Sequence, residues 1–163
     1  MAGKLVHKRS GHAYFILRYG LHSLRNPVSD VGFTGTEEGM NERQIRDCYD
    51  VLRFLYEERN ARRFHHGDCI GADQQAFVIA KSIGYETHSH PPENPKARAF
   101  TKSDINYPVL PYMARNDEIV AASDVLIAGP YQDGEIVRSG TWATIRRAIK
   151  AYIPIVQLHR GKD

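Results

Sequence analysis

The sequence predicts an α/β fold: a single Rossmann-like, doubly wound, mainly parallel sheet of about five strands with helices on both faces. Three observations predict it. Short apolar runs recur between residues 31 and 158, amphipathic helical periods separate them, and Gly-containing turns follow the first, second and fourth runs.

The elements follow in order. Asp30 to Thr36 reads as a buried first strand ending in the Gly35-Thr36 turn. A helix should begin near Asn41, whose side chain can cap the first turn while Gln44 answers at the third position. Its apolar face is Ile45, Cys48, Leu52 and Leu55. Residues 63–67 form the second strand, and Gly71-Ala72-Asp73 opens a helix that turns Phe77, Ala80 and Ile83 inward and stops at Gly84. Residues 85–90 form the third strand. From Pro91 to Pro111 no period is visible, so a long surface loop or lid is expected there. Pro111 suits the first turn of a helix to about Ser123, and residues 124–128 form the fourth strand. Trp142, Ile145, Ile149 and Tyr152 line one face of the last helix, and residues 153–158 supply the fifth strand.

Length and charge bound the rest. At 163 residues the chain suits one folded domain, residues 31–163, behind a basic extension of residues 1–30. Lys4, Lys8, Arg9, Arg18 and Arg25 against Asp30 give the first thirty residues +4, so the remainder of a chain of +3 carries −1. Within that extension, residues 14–19 are apolar enough for a short strand or an interface segment. No apolar run approaches a membrane span, and Arg18 and His22 interrupt the stretch where a signal peptide needs continuous apolar residues. Cys48 and Cys69 make neither a metal-type pair nor a disulfide framework. A cytoplasmic location with no membrane partner is expected.

Loops after different strands of such a sheet converge at its carboxyl edge. Gly35-Thr36, Gly67 through Asp73, and the strand end Gly129-Pro130 followed by Ser139-Gly140-Thr141 should therefore meet. Small residues and a hydroxyl at a helix N-terminus suit an anion, so a phosphate-bearing small molecule is the expected ligand.

Taken together, Gly35-Thr36, the run from His66 to Asp73, Arg115-Asn116 and the run from Arg138 to Trp142 resemble the SLOG superfamily. That group of Rossmann-like proteins is related to the DNA-processing protein DprA and the LOG phosphoribohydrolases, and the likeness is greatest to its small YspA-like members. It spans residues 31–158. The resemblance implies a nucleotide or nucleotide-derived ligand facing Gly35, Thr36, Gly71, Ala72, Gly140 and Thr141, with Arg115 where LOG-type enzymes carry an arginine. A guanidinium there could pair bidentately with a phosphate or carboxylate, or instead make a surface ion pair with Asp117 or Glu118 or bond a sheet-end carbonyl.

The chain departs from that pattern at one position. LOG-type enzymes and nucleoside deoxyribosyltransferases place a glutamate three residues after Gly-Thr, and here Thr144 stands in its place. Cleaving an N-glycosidic bond passes through an oxocarbenium-like state that a carboxylate stabilises, and threonine supplies no such charge. Candidate replacements are Asp73, Glu135 and His66, with Asp133 beside Glu135 in the same loop. Asp73 also fits a plain structural role at a helix N-terminus.

The histidines point away from a metal. His65 and His66 are adjacent on a strand and so face opposite sides. His88 and His90 share a face, and one of the earlier pair joins them only if the third strand lies beside the second. No zinc-type ligand spacing is present, and no metal is expected. Tyr112 and Tyr131 lie near the expected mouth, where either could cover a base.

The expected function is therefore binding of a nucleotide-type ligand as a binding or sensing module. Two alternatives stay open: an N-glycosidase, phosphoribohydrolase or deoxyribosyltransferase-like enzyme using a non-standard acid, and a DNA-binding protein of DprA type. A homo-oligomer is expected from apolar sheet-edge faces and residues 14–19.

Overall fold

The computed structural model describes residues 5–7, 14–16, 21, 24 and 27–161. Its strands are β1 (Leu5–His7), β2 (Tyr14–Ile16), β3 (Asp30–Gly35), β4 (Arg63–His66), β5 (Glu86–Ser89), β6 (Ile105–Asn106), β7 (Val125–Gly129) and β8 (Ile155–Gln157). The helices are α1 (Glu42–Arg59), α2 (Ala72–Ile83), α3 (Tyr112–Ala122) and α4 (Gly140–Lys150). They form one sheet in the order β1-β2-β8-β7-β3-β4-β5-β6, in which the six strands from β3 to β8 are parallel. From β3 the chain moves outward through β4, β5 and β6, then returns to the other side of β3 with β7. The topological switch therefore falls between β3 and β7.

Alternation along β7 sorts the core into two layers. Val125 and Ile127 join the cluster under α1 and α2, with Leu52, Leu55 and Phe64, while Leu126 and Ala128 join Ile119, Trp142 and Ile145 under α3 and α4. Burial of both faces explains why β7 reads as a continuous apolar run. Leu21, Leu24 and Val28 are buried in the first cluster, so the chain preceding β3 contributes to the same core.

Helix starts follow local chemistry. Asn41 caps α1 in a full capping box with Gln44, as the sequence predicts. Gln44 is itself wholly buried, and its amide donates to the carbonyls of Pro130 at 2.8 Å and Leu158 at 3.0 Å, tying α1 to the loops after β7 and β8. Gly84 ends α2 at φ 123°, a conformation that favours glycine.

Two expectations are corrected. The parallel sheet has a further strand, β6, within the segment read as loop; both its residues are exposed, so no apolar pattern marked it. Tyr152 does not extend α4, which stops at Lys150, but sits exposed in a left-handed turn at φ 58°. The segment from Pro91 to Pro111 forms an ordered strap: Thr101 and Arg98 bond to buried Asp68, and Lys96 and Ala97 lie in a 3-10 turn capped by Asn94. No helix among the described residues is long and apolar enough to cross a membrane.

Candidate functional site

A cavity of about 390 Å³ opens at the carboxyl ends of β3, β4 and β7, beside the switch point, where open parallel sheets hold ligands. Its size falls within the usual range for small-molecule sites.

The loop after β3 supplies one wall with Gly35, Thr36, Glu37 and Glu38. The Thr36 hydroxyl donates to the Glu38 carboxylate, which that bond holds below the usual carboxylate range. Gly35 allows α2 to approach, since a Cβ there would lie 2.4 Å from the Ala72 methyl. Gly71, at φ +87°, turns the chain into α2, and a Cβ there would meet the Glu37 carbonyl oxygen at 2.3 Å. Gly71 and Ala72 thus build the turn from behind; neither lines the cavity.

The loop after β4 supplies Gly67, Cys69 and Asp73. Asp73 is buried at the first turn of α2, where it accepts the Cys69 N–H at 3.2 Å. Burial pushes its carboxyl up to about 6, while the nearby Arg115 charge and the backbone donors hold it back. Burial likewise pushes the Cys69 thiol up to about 12, so the sulfur facing the cavity is a thiol, not a thiolate.

From α3 come Tyr112, Arg115 and Asn116. Arg115 is buried: Nη1 donates to the carbonyls of Gly67 and, at 3.2 Å, His90, and Nε donates to Asn116 Oδ1 at 2.9 Å. The sheet-end-carbonyl alternative is therefore realised, while the guanidinium still borders the cavity beside the Cys69 sulfur. Arg138, also on the cavity wall, is exposed and makes no hydrogen bond or ion pair among the described residues.

The last wall is the start of α4. Ser139 caps the helix, its side chain accepting the Trp142 N–H at 3.3 Å. Gly140 and Thr141 line the cavity, and first-turn N–H groups have no acceptor within their own helix. Nothing lies within 4 Å of a Cβ built at Gly140, so this cradle is open. Thr144 is buried and faces away: its hydroxyl donates to the Gly140 carbonyl at 3.1 Å.

Of the sequence-predicted residues, Gly35, Thr36, Gly67, Asp73, Arg115, Asn116, Ser139, Gly140 and Thr141 come together. Gly129 and Pro130 sit behind the wall; the Gly129 carbonyl accepts from Thr36 and the Pro130 carbonyl from Gln44. Glu135 pairs with Arg146 at 2.9 Å outside the cavity, and Asp133 caps the N–H groups of Arg160 and Gly161. His66 lies in the core: its Nδ1 accepts the Asp68 N–H, its Nε2 meets Ser103 Oγ at 2.9 Å, and burial brings it down to about 3. A ring so placed is a neutral structural element, not a proton donor to the cavity. Tyr112 and Tyr131 do stand at the mouth. Glu37 and Glu38 were not singled out in the sequence; the available signal was their position just after a strand-end Gly-Thr. Among the described residues no group of three His, Cys, Asp or Glu side chains is arranged to hold a metal ion.

No protein-family profile and no curated protein sequence matches the chain. Solved structures do. The molybdenum cofactor binding protein of Rippkaea orientalis superposes with a TM-score of 0.61 at 23% identity, covering 79% of this chain and 75% of its own. The molybdenum cofactor carrier protein of Chlamydomonas reinhardtii gives 0.58 at 22% identity with the same coverage. DprA of Streptococcus pneumoniae gives 0.60 at 18%, covering 79% of this chain and 50% of its own. The chain shares their fold, a Rossmann-like α/β fold. Of these neighbours, two are named for a small molecule and one for DNA processing, so the fold is shared while the ligands differ.

Proposed function

We propose that this protein binds a phosphate-bearing, nucleotide-type small molecule in the cavity between β3 and β7, as a binding or sensing module. The observation that carries the reading is the open first turn of α4, where Ser139, Gly140 and Thr141 face the cavity and nothing fills the space above Gly140. The phosphate belongs there, with Arg138 supplying a charge that no other side chain among the described residues consumes. The base belongs toward Tyr112 and Tyr131 at the mouth. Glu37 and Glu38 on the opposite wall suit N–H or hydroxyl donors of the ligand and disfavour a second anionic group. The molybdenum cofactor named for two fold neighbours falls within the ligand class to test.

A second reading rests on Asp73. It is a buried carboxyl at about 6 on the cavity wall, the kind of acid that could serve N-glycosidic cleavage in place of the residue missing at Thr144. Thermal shift against nucleoside monophosphates, NAD and ADP-ribose, with chromatography of each mixture, separates the two. A stabilising compound recovered intact supports binding. Release of free base replaces that reading with the enzymatic one, and stabilisation by nucleosides but by no phosphorylated compound defeats the phosphate cradle.

A further inference from the structure

Behind the cavity, on the sheet face that α3 covers, three imidazoles meet. His65 stands on β4, His88 opposite it on β5, and His90 just beyond, with ring centroids of His65 lying 4.6 Å from His88 and 5.2 Å from His90. All three are buried. Two of them form an unbroken run between carboxylates of different elements. Glu118 Oε1 on α3 lies 2.6 Å from His90 Nδ1, His90 Nε2 lies 2.9 Å from His65 Nδ1, and His65 Nε2 lies 2.8 Å from Asp30 Oδ1 on β3.

That run has three contacts, and each needs one proton. A neutral imidazole carries one N–H and one lone pair, so two neutral rings bring only two. If His90 donates to Glu118, and His65 to His90, a bare His65 nitrogen faces Asp30. If the protons shift the other way, a bare His90 nitrogen faces Glu118. Either arrangement sets a lone pair against a carboxylate oxygen at 2.6 to 2.8 Å, and the third, in which each ring donates to its own carboxylate, sets two bare ring nitrogens against each other at 2.9 Å. Asp30 cannot supply the missing proton, because Arg63 engages both its oxygens at 2.7 Å, which keeps it ionised. His88 makes the contrast: the Tyr107 hydroxyl at 3.0 Å can donate to its Nδ1 while its Nε2–H donates to Glu86 at 2.6 Å, so two contacts have two protons.

We infer that the Glu118–His90–His65–Asp30 run binds one proton more than two neutral histidines hold, and that this buried proton fastens α3 to the sheet. Burial, together with the proximity of the rings to one another and to Arg63, opposes the charge and, taken one ring at a time, holds His65 below the ordinary histidine value and brings His90 down to about 4. The flanking carboxylates and the otherwise empty contact favour it. The remaining groups around the run are Glu86, His88 and Tyr107 on the β5 and β6 side, Arg115 on α3, and Asp124, which accepts the Asp30 N–H. Arg115, one turn before Glu118, donates to the His90 carbonyl, so the proton lies one residue from the cavity wall. Losing it would leave one contact of the run without a proton and loosen α3, the helix that carries Arg115 and Asn116.

Ring-nitrogen NMR of protein labelled with nitrogen-15 histidine tests this directly, beside melting curves from pH 5 to 9 for the native protein and Glu118→Gln. In that variant the introduced side-chain amide can donate to His90 Nδ1 and so supplies the third proton without charging a ring. The expected result is one ring, or an exchanging pair, with both nitrogens protonated at pH 6 in the native protein. The melting temperature should fall as that proton leaves with rising pH, because a proton held more firmly folded than unfolded stabilises below the ordinary histidine value and is lost above the folded one. Glu118→Gln should show neutral rings and a flatter profile. Neutral His65 and His90 at pH 6 in the native protein, with no protonated Glu118 carboxyl by carbon-13 shift, would overturn the inference whatever the variant does. So would an unchanged ring titration in Glu118→Gln.

Discussion

The Arg115 guanidinium on α3 donates to the carbonyl of Gly67, 48 residues earlier, and that bond joins the helix to the loop after β4. A side chain at 67 would break the join, since a Cβ there would lie 2.5 Å from Arg115 Nη1 and 2.8 Å from Asp73 Oδ2. The cavity wall is therefore built around an absent methyl group. Gly67→Ala is expected to lower the unfolding free energy by about 1–3 kcal/mol, the usual result of forcing bulk into a packed site. Urea denaturation reads it, and an unchanged midpoint would contradict the close approach.

Arg115 and Arg138 should separate into a structural and a ligand-binding arginine. Arg115→Ala removes donors from two buried carbonyls and an amide, so a stability loss of about 3 kcal/mol is expected, with similar weakening of a nucleotide and its nucleoside. Arg138→Ala should leave stability unchanged and weaken only the phosphorylated ligand, by about tenfold. Calorimetric titration of each variant with a nucleotide and its nucleoside distinguishes these outcomes, and equal losses for Arg138→Ala would remove it from the phosphate site.

Gly140→Trp should abolish ligand binding with the melting temperature preserved, because the position is open and an indole would occupy the cradle. Retained binding would move the phosphate elsewhere in the cavity.

Asp73 gives the stability profile a defined slope. Its folded value of about 6 lies above that of an ordinary aspartate, so the folded state binds more protons and is favoured at low pH. That contribution is fully present below about pH 4 and lost as pH rises through 6, a change of about 3 kcal/mol. Asp73→Asn should remove it while still accepting the Cys69 N–H. Denaturation at pH 4, 5, 6 and 7 checks this, and a variant whose slope matches the native one would place the titrating group elsewhere.

Much of this protein was legible in the chain alone. Capping at Asn41, the stop at Gly84 and the apolar run of β7 are local or periodic signals, and each follows from backbone geometry and burial of neighbouring residues in sequence. The convergence of Gly35, Gly67 and Gly140 followed from strand-helix alternation, which brings the turns to one sheet edge. The chain did not disclose β6, whose two residues are exposed and carry no period.

What the tertiary structure decided is which polar groups are already spoken for. Arg115 on its helix and His66 and Pro130 near strand ends all stood as site candidates. Only the packed structure shows that His66 is enclosed by Asp68 and Ser103, that the Pro130 carbonyl belongs to Gln44, and that Arg115 holds Gly67 and His90. The histidine run is the same lesson. Glu118, His90, His65 and Asp30 come from four separate stretches of sequence, and the proton count between them depends on distances that arise only when α3 closes over β4 and β5. Sequence periodicity determines which face of an element is buried; hydrogen-bond partners across the sheet are fixed by packing, because each donor can be spent only once.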